Sequence, residues 1–267
     1  MPGGDDLAAA IHELQALTEE LRRACPWDRV QTERTIVPHT VEEAYEVADA
    51  AQDGDDEKLA DELGDLLYQV FFLSLLMEER GSASLAEIAR GVHEKLVHRH
   101  PHVFGTAQLD SPEDVRERWD ALKAREAGRA GIFHDVPESL PALLRARKVQ
   151  WRAAAARFDY ASLESAMSGL RGELAELEQA LEGHDDAPEV ETSERLFAET
   201  GDVLFSLVNV ARKVNVDPEL ALASAVARFT ARVERAERLA REAGHDFGSL
   251  TLDEQERYYC DAKRLGA

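Results

Sequence analysis

The chain has 267 residues, with 53 Asp and Glu against 31 Lys and Arg, and a formal net charge of −22 at pH 7. Affinity for polyanions comes from clustered cations, so this balance excludes a nonspecific binder of nucleic-acid polymers or of anionic membranes. Hydrophobic residues make up 44% of the chain, enough for a packed core, which excludes disorder as the main state and allows one large domain or two small ones. Cys25 and Cys260 stand far apart with no second ligand pair. Neither a disulfide framework nor a cysteine zinc site is on offer, and a reducing cytoplasm is the expected compartment. The N-terminus, Met1-Pro-Gly-Gly-Asp-Asp, is acidic where a signal peptide would be basic. The longest apolar stretch, Leu66 to Met77, falls short of the roughly twenty residues a spanning helix needs.

Apolar residues recur at three- and four-residue spacing, and alternating β-type runs are missing, which predicts an all-α fold. Helices are expected near 5–23, 39–53, 56–80, 84–99 and 111–127, then near 139–156, 162–183, 190–214, 217–243 and 251–265. Gly54-Asp55, Gly81-Ser82 and Gly105-Thr106 mark stops, while Ser111-Pro112-Glu113 and Asp217-Pro218-Glu219 mark starts with Pro at the first helical position. The Gly- and Pro-bearing segment 128–140 reads as a linker between modules at 1–127 and 141–267.

The two sets of five helices carry matching residues in the same order. Pro26-Trp27-Asp28 matches Arg157-Phe158-Asp159, Glu43-x-x-Glu46 matches Glu173-x-x-Glu176, and Glu62-Leu-Gly-Asp65 matches Glu199-Thr-Gly-Asp202. Lys95-x-x-x-Arg99 then matches Arg228-x-x-x-Arg232, and Trp119-x-x-x-Lys123 matches Tyr259-x-x-x-Lys263. The pattern predicts a tandem duplication of one helical module.

Residues three apart share a helical face, so Glu43 and Glu46 project together, as do Glu62 and Asp65 on the next helix. A short Gly-Asp connection makes the two helices antiparallel and brings the four carboxylates to one place. Like charges so close repel unless a cation sits among them, and hard oxygen ligands suit Mg²⁺, with Mn²⁺ as a substitute. Either pair alone would be an ordinary solvated face in a chain this acidic. Recurrence as Glu173, Glu176, Glu199 and Asp202, at the edge of core-forming stretches, separates the quartets from that background. The Lys95/Arg99 and Arg228/Arg232 pairs suit phosphate oxygens or surface ion pairs with Glu, and Trp119/Lys123 and Tyr259/Lys263 suit a base and a phosphate or plain core packing. Together they point to a Mg²⁺-dependent polyphosphate-nucleotide site.

Cys25-Pro-Trp-Asp-Arg-Val-Gln-Thr, Val41-Glu-Glu-Ala-Tyr-Glu-Val, Asp61-Glu-Leu-Gly-Asp-Leu-Leu and His98-Arg-His-Pro-His-Val-Phe resemble the MazG family of nucleoside triphosphate pyrophosphohydrolases. The resemblance spans nearly the whole chain. It implies the all-α pyrophosphohydrolase fold, bundle-like on dimerisation, and hydrolysis of nucleoside triphosphates to monophosphate and pyrophosphate. It also implies Mg²⁺ dependence, broad base tolerance, a house-cleaning role and a homodimer. The family's metal pattern carries over to Glu42, Glu43, Glu46, Glu62 and Asp65. In the second module Gly172 replaces the first acid, and Glu173, Glu176, Glu199 and Asp202 are kept. The substrate contacts carry over in kind to Arg228, Arg232, Tyr259 and Lys263, with Arg for Lys and Tyr for Trp.

The face beyond Glu199 and Asp202 continues through Ser206, Asn209 and Lys213, a polar stripe able to reach sugar or phosphate. Beyond Glu62 and Asp65 it continues through Gln69, Phe72 and Leu76, which read as packing. The second module is therefore the expected catalytic one, with Glu173, Glu176, Glu199 and Asp202 holding metal that activates water for attack on the α-phosphorus. No P-loop or Ser/His/Asp signature competes, and His98, His100 and His102 read as a helix-ending loop. A catalytically silent nucleotide-binding regulator and a helical scaffold are the alternatives.

Overall fold

A computed structural model describes residues 4–106, 111, 115, 118, 131–133, 136–182 and 189–265, with side chains from 193 onward in the last stretch. The chain is all-α, with no strand among these residues. It divides into two compact units, Met1–Val115 and Arg116–Ala267, so the segment expected as linker is counted within the second. No helix of the described residues is long and apolar enough to cross a membrane.

In the first unit α1 (Gly4–Ala24) leads through a 3-10 turn (Asp28–Val30) to α2 (Glu33–Asp53) and α3 (Asp56–Glu79), then to α4 (Leu85–Arg99) and the one-turn α5 (Pro101–Phe104). α3 is the hub, packed by α1, α2 and α4. α2 stops where Gly54 turns left-handed at φ 69°, and Asp55 restarts the chain by accepting the Lys58 amide at 3.0 Å. Two residues cannot do more than reverse direction, so α2 and α3 run antiparallel. Their apolar sides meet around Ile36, Phe72 and Leu76, with Tyr68 and Leu73 against them. Arg22 pins the loop beyond α1: its fork holds Glu79 of α3 through two 2.9 Å bonds, and Nη1 donates to the carbonyls of Asp28 and Gln31.

The second unit repeats this plan in α6 (Ala142–Ala155), α7 (Leu163–Glu182), α8 (Glu189–Lys213) and α9 (Pro218–Glu242). A 3-10 turn (Phe247–Ser249) and α10 (Leu252–Arg264) complete it. α8 is packed by α6, α7 and α9, and α9 by α10. Asp217 caps α9 by accepting the amides of Glu219 and Leu220, and its second oxygen pairs with Arg147 of α6. Gln150 of α6, 4% exposed, donates to the Phe205 carbonyl of α8 at 2.7 Å.

Two boundaries differ from expectation. α2 begins at Glu33, a turn and a half before Pro38, because Thr32 and Thr35 form a reciprocal capping pair upstream and leave the proline inside the helix. Pro101 starts a one-turn helix where a plain loop was expected, its missing N–H being no loss at a first helical position. The helix expected at 111–127 lies almost wholly outside the described residues.

Candidate metal and nucleotide site

The antiparallel α2–α3 pair brings carboxylate oxygens of Glu43, Glu62 and Asp65 within 4.8 Å of one another. α7 and α8 do the same for Glu173, Glu199 and Asp202. Glu46 stands one turn along from Glu43, and Glu176 one turn along from Glu173, and each acts on its own cluster through its charge. Glu43 is held above the ordinary Glu range by desolvation first, then by Asp65, Glu46 and Glu62. Glu173 is raised by desolvation, then by Glu176, Asp202 and Glu199. Glu62 is raised as well, by desolvation and then by Glu46, with Lys58 opposing. Carboxylates that compete for protons in this way are short of positive charge, and their oxygen-only donor set fits a hard divalent cation. Among the described residues these are the two groups of three or more potential metal ligands that converge; the paired rings of His100 and His102, 5.5 Å apart, belong to no such group.

One residue pair was missed from the sequence. Arg195 sits 3.8 Å from Glu199, one turn before it on α8, and Lys58 holds the same place before Glu62. Extending the repeat back by one turn, as Lys58-x-x-x-Glu62 and Arg195-x-x-x-Glu199, would have found them.

Beyond the carboxylates the two units diverge. Gln69, Phe72 and Leu76 are buried at 9%, 1% and 4% exposure and close the first unit's face with packing. At the matching places in the second, Ser206 is buried, while Asn209 and Lys213 are half-buried. Arg212 donates to Asn209 Oδ1 at 2.8 Å and to Asp159, and Lys213 donates to Asp159 Oδ2 at 2.7 Å and to the Tyr160 carbonyl. Burial works to raise the Asp159 carboxyl, but the bonds from Lys213 and Arg212 outweigh it and hold the group below the ordinary Asp range.

Arg228 is exposed and Arg232 half-buried on α9; on the adjoining α10 Tyr259 is half-buried and Lys263 exposed. The Tyr259 ring tilts against Phe229 with centroids 5.9 Å apart, so Phe229 shares the aromatic surface assigned to Tyr259. On α4 Lys95 is exposed and Arg99 half-buried. Glu42, the accessory acid, faces solvent with His39 3.6 Å away. Trp119 and Lys123 lie outside the described residues.

An all-α protein whose antiparallel helix pairs twice gather carboxylates of divalent-cation type is the class that fold and site define. Residues 31–104, which carry the first quartet, match the MazG nucleotide pyrophosphohydrolase domain. The chain is 36% identical over 257 residues to the nucleoside triphosphate pyrophosphohydrolase/pyrophosphatase MazG of Thermotoga maritima, covering 95% of each. It is 35% identical over 260 residues to the nucleoside triphosphate pyrophosphohydrolase of Escherichia coli K12, covering 95% of this chain and 97% of that one. The protein YabN of Bacillus subtilis is 32% identical over 253 residues, which make up half of its length. The chain belongs to the MazG family.

Proposed function

We propose that this protein hydrolyses nucleoside triphosphates to monophosphate and pyrophosphate with Mg²⁺, tolerating different bases, as a house-cleaning enzyme of the nucleotide pool. The observation that carries the proposal is the convergence of Glu173, Glu199 and Asp202 within 4.8 Å, in a unit whose α9 and α10 offer Arg228, Arg232, Tyr259 and Lys263. Glu173, Glu176, Glu199 and Asp202 would hold the ion, and Glu43, Glu46, Glu62 and Asp65 would hold one in the first module. Bound there, Mg²⁺ or Mn²⁺ supplies charge neutralisation on phosphate and activation of water.

The chain's own groups do the rest. One of the clustered Glu side chains would accept the proton of the attacking water. Arg228, Arg232 and Lys263 counter charge on the transferring and leaving phosphates, and Asn209 lines the approach along α8. The second module is the catalytic one in this account, because packing by Phe72 and Leu76 closes the corresponding approach in the first. There Lys95, Arg99, Trp119 and Lys123 are the equivalent substrate contacts. The modules span 1–127 and 141–267 with 128–140 as linker, a division supported by the order of the repeat. A homodimer is supported by exposed apolar side chains: Leu63, Leu67 and Val70 on α3, and Leu204 and Leu207 on α8, are 40–49% exposed at heptad-like spacing. Free Cys25 and Cys260 support a cytoplasmic setting.

Purified protein incubated with Mg²⁺ and each common nucleoside triphosphate, with products separated by anion exchange, tests this. Monophosphate and pyrophosphate are expected from wild type and from Glu46→Ala, with loss of about a hundredfold or more in rate for Glu176→Ala. Loss confined to Glu46→Ala reverses the module assignment. No cleavage of any triphosphate with either metal contradicts the enzyme reading in favour of a silent binder.

A further inference from the structure

The loop between α6 and α7 places a phenol on α7 one helical turn before the first carboxylate of the second cluster. Gly169 of α7 is bare because Tyr160 lies on it: a Cβ added there would stand 2.4 Å from Tyr160 Oη and 2.9 Å from its Cζ. Gly169 and Glu173 are four residues apart and share one helical face, so the hydroxyl sits about 6 Å along α7 from the level of the first ligand. The ring is 39% exposed, and among the described residues the hydroxyl makes no hydrogen bond, although its own carbonyl is held by Lys213. The preceding residue is fixed as well, since Asp159 takes bonds from both Arg212 and Lys213 of α8. The hydroxyl is thus presented from a loop tied to α8 and seated on α7, the two helices that carry the cluster.

The first module lays an aromatic ring at the matching place by different residues. Trp27 meets His39 edge-on with centroids 6.0 Å apart, and His39 precedes Glu43 by four as Gly169 precedes Glu173. A ring one turn before the first carboxylate is therefore a feature of both modules, supplied by Trp27 against His39 in the first and by Tyr160 on Gly169 in the second.

We infer that Tyr160 is a substrate-binding residue, its hydroxyl donating a hydrogen bond to a phosphate oxygen of the nucleotide held at Glu173, Glu176, Glu199 and Asp202. This rests on the proposed function of that site. An O–H seated one helical turn from a face of carboxylates would have an anionic acceptor within reach when a polyphosphate occupies the site, and a charged acceptor makes that bond stronger than a neutral one.

Tyr160→Phe keeps the ring and removes the donor. Its KM for triphosphate, and its Kd for a nonhydrolysable triphosphate with Mg²⁺ measured by calorimetry, should both rise roughly tenfold, with the melting temperature unchanged. Gly169→Ala adds a methyl that pushes the phenol away while favouring the helix; it should raise both constants by a similar factor, and adding it to Tyr160→Phe should raise them no further. Unchanged KM and Kd in Tyr160→Phe, or effects of the two substitutions that simply add, would overturn the inference. Absence of turnover in the wild type contradicts the proposed function instead, and leaves the binding comparison to judge Tyr160.

Discussion

Three helices of the second unit end in the same way, and the residues that end them differ in cost. α9 closes with Gly244 at φ 82°, α8 with Asn215 at φ 57° and α6 with Arg157 at φ 67°. In each, the amide after the left-handed residue reaches back: His245 to Ala240, Val216 to Ala211 and Phe158 to Ala153, all at 2.9 Å. Gly has no side chain to object, Asn tolerates the conformation, and Arg crowds its own backbone at a cost of about 1 kcal/mol. Arg157→Gly should therefore stabilise the protein by about that much, raising the melting temperature by roughly 3 °C in a thermal scan. A lower melting temperature would mean that the Arg157 side chain contributes more than its backbone loses. The same attention to single groups explains Arg22, whose flat fork binds one carboxylate and two carbonyls at once, a geometry that Lys cannot reproduce.

Between elements, the units differ most in how the loop after the first helix is tied down. In the first, Tyr68 donates to Asp28 at 3.4 Å, and burial beside that carboxylate pushes the phenol up to about 12. In the second, Asp159 is bound by two cations of α8, Arg212 and Lys213, only 10% and 17% exposed. Removing the carboxylate charge strands both cations, so Asp159→Asn should cost about 2 kcal/mol, short of the penalty for a fully buried pair. Because Asp159 ionises more readily folded than unfolded, its contribution is present in full above the ordinary Asp value of 3.8 and disappears as pH falls through its lowered folded value. Melting curves of the two proteins should be well separated at pH 7 and converge below pH 3.8; a gap that persists in acid would assign the loss to packing.

The helices themselves were legible because each unit's apolar spacing and its Gly, Asp and Ser punctuation agree with its packing. Gly54-Asp55 alone dictates that Glu43 meets Glu62 and Asp65. The buried face of Gln69, Phe72 and Leu76 was equally readable from its period. What could not be read was any contact between residues whose spacing carries no period: the seating of Tyr160 on Gly169, the hold of Asp159 on Lys213, which periodicity placed in a stripe facing substrate, and the tilt of Phe229 against Tyr259. The start of α2 escaped for a different reason: the helix was expected near 39, after Pro38, whereas the Thr32–Thr35 cap starts it upstream and carries the proline inside.

At the scale of the whole chain, a protein of net charge −22 has a polyanion as its proposed substrate, and each carboxylate cluster would answer that by holding its own divalent cation, which reverses the local sign. Duplication then let the units part ways, one keeping an apolar wall behind its quartet and the other a polar one. The proposed reaction is attack of water on the α-phosphorus of a nucleoside triphosphate at the second quartet. Turnover in ¹⁸O-labelled water, with products resolved by mass spectrometry, tests it. One labelled oxygen is expected in the monophosphate and none in the pyrophosphate, with the labelled product lost in Glu176→Ala. Label in pyrophosphate, or in inorganic phosphate released beside a nucleoside diphosphate, would contradict it.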